Sequence, residues 1–119
     1  MATFSKLILS NSTDGLPVNI TQTVTAGTLV HTGSTTASHL DELWIYATNN
    51  HSASVLLTIE YGNATTSNNI KVTVPNANGL YLVVGGLLLK GNAVPLTVRA
   101  FAATTAVISL SGYVNRIAV

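Results

Sequence analysis

The groups able to do chemistry in this sequence are few. Asp14, Asp41, Glu42 and Glu60 are its carboxylates, His31, His39 and His51 its imidazoles, and the other nucleophiles are Ser and Thr hydroxyls. A hydrolase or lyase gathers an acid, a base or a nucleophile around one reacting bond. Asp41 and Glu42 are neighbours where an alternating segment begins, so they face opposite sides of a strand and cannot flank one bond. They read as a solvated strand entry. His31 ends a short β-branched segment, His39 stands in a Ser/Thr-rich stretch and His51 in an Asn-rich turn. That spacing predicts loop histidines on a polar surface rather than metal ligands or a proton shuttle. The pattern Gly-x-Ser-x-Gly is missing, and Gly85-Gly86 lacks the Lys-Ser/Thr ending and the helix of a phosphate cradle. Cysteine is absent, which removes disulfides, thiolate ligands and a Cys nucleophile. The inventory predicts no enzyme, no cofactor and no metal site.

The elements that carry these groups follow from hydropathy patterning. The apolar residues recur with period two: Leu43, Ile45 and Ala47 alternate with Trp44, Tyr46 and Thr48. The same alternation predicts strands over 55–61, 70–74, 96–101 and 108–115. Shorter β-branched strands are predicted over 4–9, 18–24 and 28–32. Turn-forming clusters separate them at 11–15, 26–27, 49–51, 62–69, 75–79, 91–92 and 103–105. No window carries a helical stripe. Some eight short strands with turns between them predict one all-β domain over residues 1–119, a β-sandwich of jelly-roll type, with an immunoglobulin-like sandwich as the alternative. The stretch 10–39, rich in Ser, Thr, Asn and Gly, offers either long loops or an arm from within residues 1–40 lying on a neighbour. Glu60, Lys71 and Arg99 fall on outward strand faces, where cross-strand ion pairs contribute roughly 0.2–1 kcal/mol.

Composition narrows the function. Of 119 residues, 8% are charged and 47% hydrophobic, with a net charge of +1, against roughly 25% charged in an ordinary domain. Five basic residues cannot build the stripe that neutralises phosphates, so nucleic acid is not an expected partner. Disorder is excluded because a chain this apolar can bury enough surface to offset its conformational entropy. The run from Leu80 to Leu89 is broken by Gly85-Gly86 and falls short of the roughly 20 residues of a membrane span. The apolar run near the amino terminus is too short for a secretory signal, and the four Asn-x-Ser/Thr matches are expected to be unmodified.

Two features predict a contact surface. Trp44 and Tyr46 share the strand face opposite the aliphatic one and need a cover, either a sugar ring or another subunit. Leu87, Leu88 and Leu89 are consecutive, so they cannot all face one side of a strand. Low charge, high apolar content and mild polar loops describe a subunit that hides surface in contacts.

From Asp41 onward the chain resembles the small decoration or cement proteins of tailed bacteriophage heads. The resemblance rests on 41–49 (DELWIYATN), 57–62 (LTIEYG), 72–75 (VTVP), 96–102 (LTVRAFA) and 112–117 (GYVNRI), and extends over roughly two thirds of the chain. It implies a β-sandwich or jelly-roll subunit, commonly a homotrimer, assembled in the host cytoplasm and seated on the outer capsid surface of the virion. Its partners would be other copies of itself and the major capsid protein. The alternative is a tail-associated or carbohydrate-binding β-sandwich module. Trp44, Tyr46, Leu87, Leu88 and Leu89 are the expected subunit or capsid contacts on patterning alone.

Overall fold

Wherever the period of two is sustained, a strand forms. The computed structural model describes residues 2–118 and contains nine strands. They are β1 (Thr3–Ile8), β2 (Val18–Ile20), β3 (Thr28–Thr32), β4 (His39–Asn49), β5 (Val55–Gly62), β6 (Asn69–Val74), β7 (Tyr81–Lys90), β8 (Thr97–Ala102) and β9 (Ile108–Ala118). One 3-10 turn, Thr66–Asn68, precedes β6. The strand predicted over 18–24 stops at Ile20. Beyond it the Thr28 hydroxyl accepts the Thr21 and Gln22 N–H groups, which a continuing ladder would have used.

All pairings are antiparallel. One sheet runs β1-β9-β4-β7, with β2 also paired to β9, and the other runs β3-β8-β5-β6. From β2 onward the chain changes sheet at every connection except β5 to β6, so most contacts join residues distant in sequence. The two sheets pack face to face as a β-sandwich. The segment 10–39 contributes β2 and β3 to these sheets.

Alternation decides what lies between the sheets. In β4, residues 41, 43, 45, 47 and 49 are buried while the intervening ones are half-buried. Leu43, Ile45, Leu57, Ile59, Ile108 and Leu110 are fully buried, with Ala47, Ala100 and Ala102 keeping the layer thin. Burying each aliphatic chain stabilises the fold by about 1.5–3 kcal/mol relative to exposure. Asn49 closes one end of the sandwich: its amide donates to the Ala53 and Val74 carbonyls, and its oxygen accepts the His51 N–H. His51 thus stands at the expected turn between β4 and β5. Tyr61, on the inner face of β5, donates its hydroxyl to the Leu87 carbonyl across the sandwich, and burial pushes its phenol up to about 12.

Gly112 shows how closely β9 and β4 approach. A Cβ built there would stand 2.0 Å from the Trp44 carbonyl oxygen, a clash with backbone that no rotamer relieves. Gly112→Ala is therefore expected to lower the unfolding free energy by about 3 kcal/mol, measured by urea denaturation. An unchanged midpoint would contradict this packing.

Candidate functional site

The outward face of the β1-β9-β4-β7 sheet brings together most of the residues singled out by patterning. Trp44 and Tyr46 project from β4, Tyr113 and Asn115 from β9, Lys6 from β1 and Leu88 from β7. Trp44 stacks on Tyr113 with ring centroids 6.4 Å apart and planes 12° apart, and the Lys6 ammonium stands 4.9 Å from the Tyr113 ring centroid. Offset stacking and a cation over a ring face both exploit the aromatic quadrupole. Trp44 Nε1 donates to Glu42 Oε1 at 2.8 Å, and Asn115 Nδ2 donates to the same oxygen at 3.0 Å. The hydrogen bonds from Asn115 and Trp44 hold the Glu42 carboxyl below its usual range, so it is ionised at neutral pH.

The Trp44 indole is also backed by the neighbouring strand. Gly86 has φ +84°, and a Cβ there would stand 3.1 Å from Trp44 Cζ2. Glycine is thus required twice, for the left-handed backbone and for the ring that lies against it. The register shift between Leu43 and Trp44 absorbs this residue as a bulge.

The three leucines divide as the pleat requires. Leu88 points outward and is 53% exposed, Leu89 enters the core, and Leu87, opposite Leu43 on the inner side, remains 45% exposed because β7 is the edge strand. Phe4 is 72% exposed, and Ile8 and Leu82 are exposed on the same outward face. Sequence patterning missed Phe4, Ile8 and Tyr113, which the pairing of β9 with β4 and of β1 with β9 brings onto the Trp44 face. The Trp44 parity extended across β9 was the available signal.

The polar residues require three corrections. Asp41, expected as part of a solvated strand entry, is buried on the inner face of β4, whereas Glu42 does face outward. His31, expected on a polar surface, is buried on β3: a register irregularity between Leu29 and His31 leaves Val30 and His31 buried in succession. Glu60, expected in a surface ion pair, is buried beneath the segment that follows β2. Its oxygens accept the Thr25 hydroxyl and, at 2.6 Å, the Gly27 N–H. Arg99 donates to the Gly27 carbonyl at 3.1 Å. Glu60 and Arg99 thus grip one residue from both sides instead of pairing with each other.

Asp41 is the hub of the buried charges. Arg116 donates to it through Nε at 2.6 Å and Nη2 at 2.9 Å, and His31 Nε2 lies 2.9 Å from Oδ2. Burial alone would raise the Asp41 carboxyl, but the hydrogen bonds from Arg116 and His31 outweigh it and hold it low. Arg116 is raised in turn by its bond to Asp41. On the far side of the His31 ring, Nδ1 accepts the Ser10 N–H at 3.1 Å. The imidazole is thereby fixed as the neutral tautomer carrying its proton on Nε2. Burial lowers His31 despite the opposing pull of Asp41. Both ring nitrogens are engaged, so the pair is a structural link rather than a poised base.

Beside it, His39 Nδ1 meets Ser34 Oγ at 2.8 Å, and Ser34 Oγ also accepts the Thr36 N–H. Among the described residues no carboxylate bonds to His39, and no cluster of three or more His, Asp or Glu has metal-binding spacing. No helix among them is long and apolar enough to cross a membrane. Compared with protein-family models, curated proteins and solved structures, the chain matches none of them.

The His31–Asp41–Arg116 network dictates a pH profile. Because the folded pKa of His31 lies below its ordinary 6.5, the unfolded chain takes the proton first. Stability is full above pH 6.5 and falls as pH drops below it. Asp41 adds a second loss as pH falls through and below its ordinary 3.8. Urea unfolding across pH 3–8 should reveal both. In His31→Gln the first slope disappears, and stability at pH 7 drops by about 2 kcal/mol. A variant that keeps the slope would contradict the assignment.

Proposed function

We propose that this chain is a structural virion protein, a head decoration or cement protein that binds the outer capsid shell of a tailed bacteriophage as a homo-oligomer and stabilises it. The observation that carries the reading is the outward face of the five-stranded sheet. It exposes Phe4, Ile8, Leu82 and Leu88 around a half-buried Trp44–Tyr113 pair, with Lys6, Glu42 and Lys90 as its charged residues. A largely apolar face crossed by one polar row, Lys6, Asn115 and Glu42, supports a contact surface.

The strand order supports the jelly-roll form of sandwich. In an immunoglobulin-like sandwich several consecutive strands share a sheet, whereas here nearly every connection crosses between sheets. The resemblance to decoration proteins from Asp41 onward supports a seat on the virion, with the major capsid protein as partner. A rigid oligomer presenting one weak site per subunit gains effective concentration on a repeating lattice, so the whole stays bound where a single subunit would dissociate. The carbohydrate-binding alternative receives less support. The Trp44 ring that would stack on a sugar is packed between Tyr113 and Gly86.

The test adds purified protein to mature heads that lack it. Co-sedimentation with intact heads at saturating stoichiometry, and a rise in the temperature at which heads release DNA, are expected. Absence of binding to intact heads would overturn the capsid reading, and binding to tails alone would favour a tail component.

A further inference from the structure

We propose that the outward face of the β1-β9-β4-β7 sheet pairs with the same face of a second copy of this chain, about a two-fold axis running along β9. The inference rests on the self-association in the reading above and is independent of the capsid.

The rows across this face are fixed by register. Phe4, Ile117 and Leu40 form one row, Lys6, Asn115 and Glu42 the next, and Ile8, Tyr113 and Trp44 a third, each crossing β1, β9 and β4 in that order. A half-turn about a line above β9 exchanges the β1 and β4 sides and returns β9 to itself. Phe4 then meets Leu40 of the second copy, Lys6 meets its Glu42 and Ile8 meets its Trp44. Ile117, Asn115 and Tyr113 each meet their own equivalents, and the Asn115 amide can both donate and accept across the axis.

Charge selects this axis over its neighbours. An axis along β4 would set Glu42 against Glu42, and one along β1 would set Lys6 against Lys6, each a like-charge contact at a desolvating interface. Only the β9 axis opposes the two signs, and it does so twice because the interface is isologous. Within one copy β9 stands between Lys6 and Glu42, about 10 Å apart across two strand spacings. The two form no ion pair among the described residues. Glu42 Oε2 has no hydrogen-bond donor among the described residues, since Trp44 and Asn115 both donate to Oε1.

A half-turn along the strands preserves their direction, so the two sheets would pack in the aligned class. The overlap is three strands wide, with β9 on β9 and the eleven residues of β4 facing the shorter β1 and β2, and covers roughly 450 Å² of each face. Two copies then bury on the order of 900 Å², the range of a weak, concentration-dependent dimer. The symmetry calls for two copies here, where the resemblance implies three.

The test is light scattering during gel filtration of the whole chain from dilute to high concentration, with cross-linking. Twice the 12.4 kDa chain mass is expected. Lys6→Glu should weaken the dimer about tenfold or more, and the double exchange Lys6→Glu with Glu42→Lys should restore it. Because the chain has no cysteine, Asn115→Cys gives one reactive thiol at the axis, and a short bismaleimide should link it to its equivalent. Circular dichroism checks that each variant is folded. A monomer at all concentrations, a trimer, or a dimer whose Asn115→Cys form does not cross-link would overturn the proposal. A monomer that binds heads would refute this interface while leaving the capsid reading intact, and a cross-linked dimer that ignores heads would do the reverse.

Discussion

The fold depends on one buried carboxylate. Asp41 sits on the inner face of β4 in one sheet, bonded to Arg116 from β9 in that sheet and to His31 from β3 in the other. Removing a carboxylate from water costs several kcal/mol, and only well-placed donors offset it. That constraint fixes the register of β9 on β4 and the placement of the bulged β3 over both. Since β3 pairs only with β8 among the described residues, the His31–Asp41 bond is a direct polar tie from that edge of the second sheet to the first. Tyr61 and the Leu87 carbonyl make a comparable tie on the β5–β7 side.

With the inner charges consumed in this way, few remain for the outside. The first sheet keeps Lys6, Glu42 and Lys90 on its outward face, and the aromatic pair Trp44–Tyr113 occupies its middle. Glu42 is held by Trp44 and Asn115 in a fixed orientation rather than swinging free. A carboxylate already held by two donors loses little further entropy when another group meets it. The same residue parity that buries Asp41 therefore turns Glu42 outward, and one strand serves the core and the outward aromatic face at once.

Much of this architecture was legible in the sequence. The alternation in 43–48, 55–61, 70–74 and 108–115 is strong enough to locate β4, β5, β6 and β9. The burial of Asp41 was legible in principle, since it shares parity with Leu43, Ile45 and Ala47. Its charge argued for solvent, and nothing local announced that Arg116, 75 residues away, would neutralise it. Glu60 faces outward as its parity requires, but the chain around Gly27 folds over it, a cover set by tertiary contacts. His31, at the end of a short β-branched segment, suggested a polar loop, whereas the irregularity in β3 leaves Val30 and His31 both buried. Trp44 and Tyr46 were correctly placed on the face opposite the aliphatic residues, while their neighbours from β1 and β7 depended on a strand order that patterning does not encode.

On the proposed pairing, the outward face of the β1-β9-β4-β7 sheet is covered in the assembled protein. Hydroxyl-radical footprinting with mass spectrometry, at concentrations below and above assembly, reads this directly on Phe4, Ile8, Trp44 and Tyr113. The account predicts that these residues lose reactivity on assembly while Leu56 and Val94, exposed elsewhere on the molecule, keep theirs. Unchanged reactivity on the sheet face, with protection at Leu56 or Val94 instead, would contradict it.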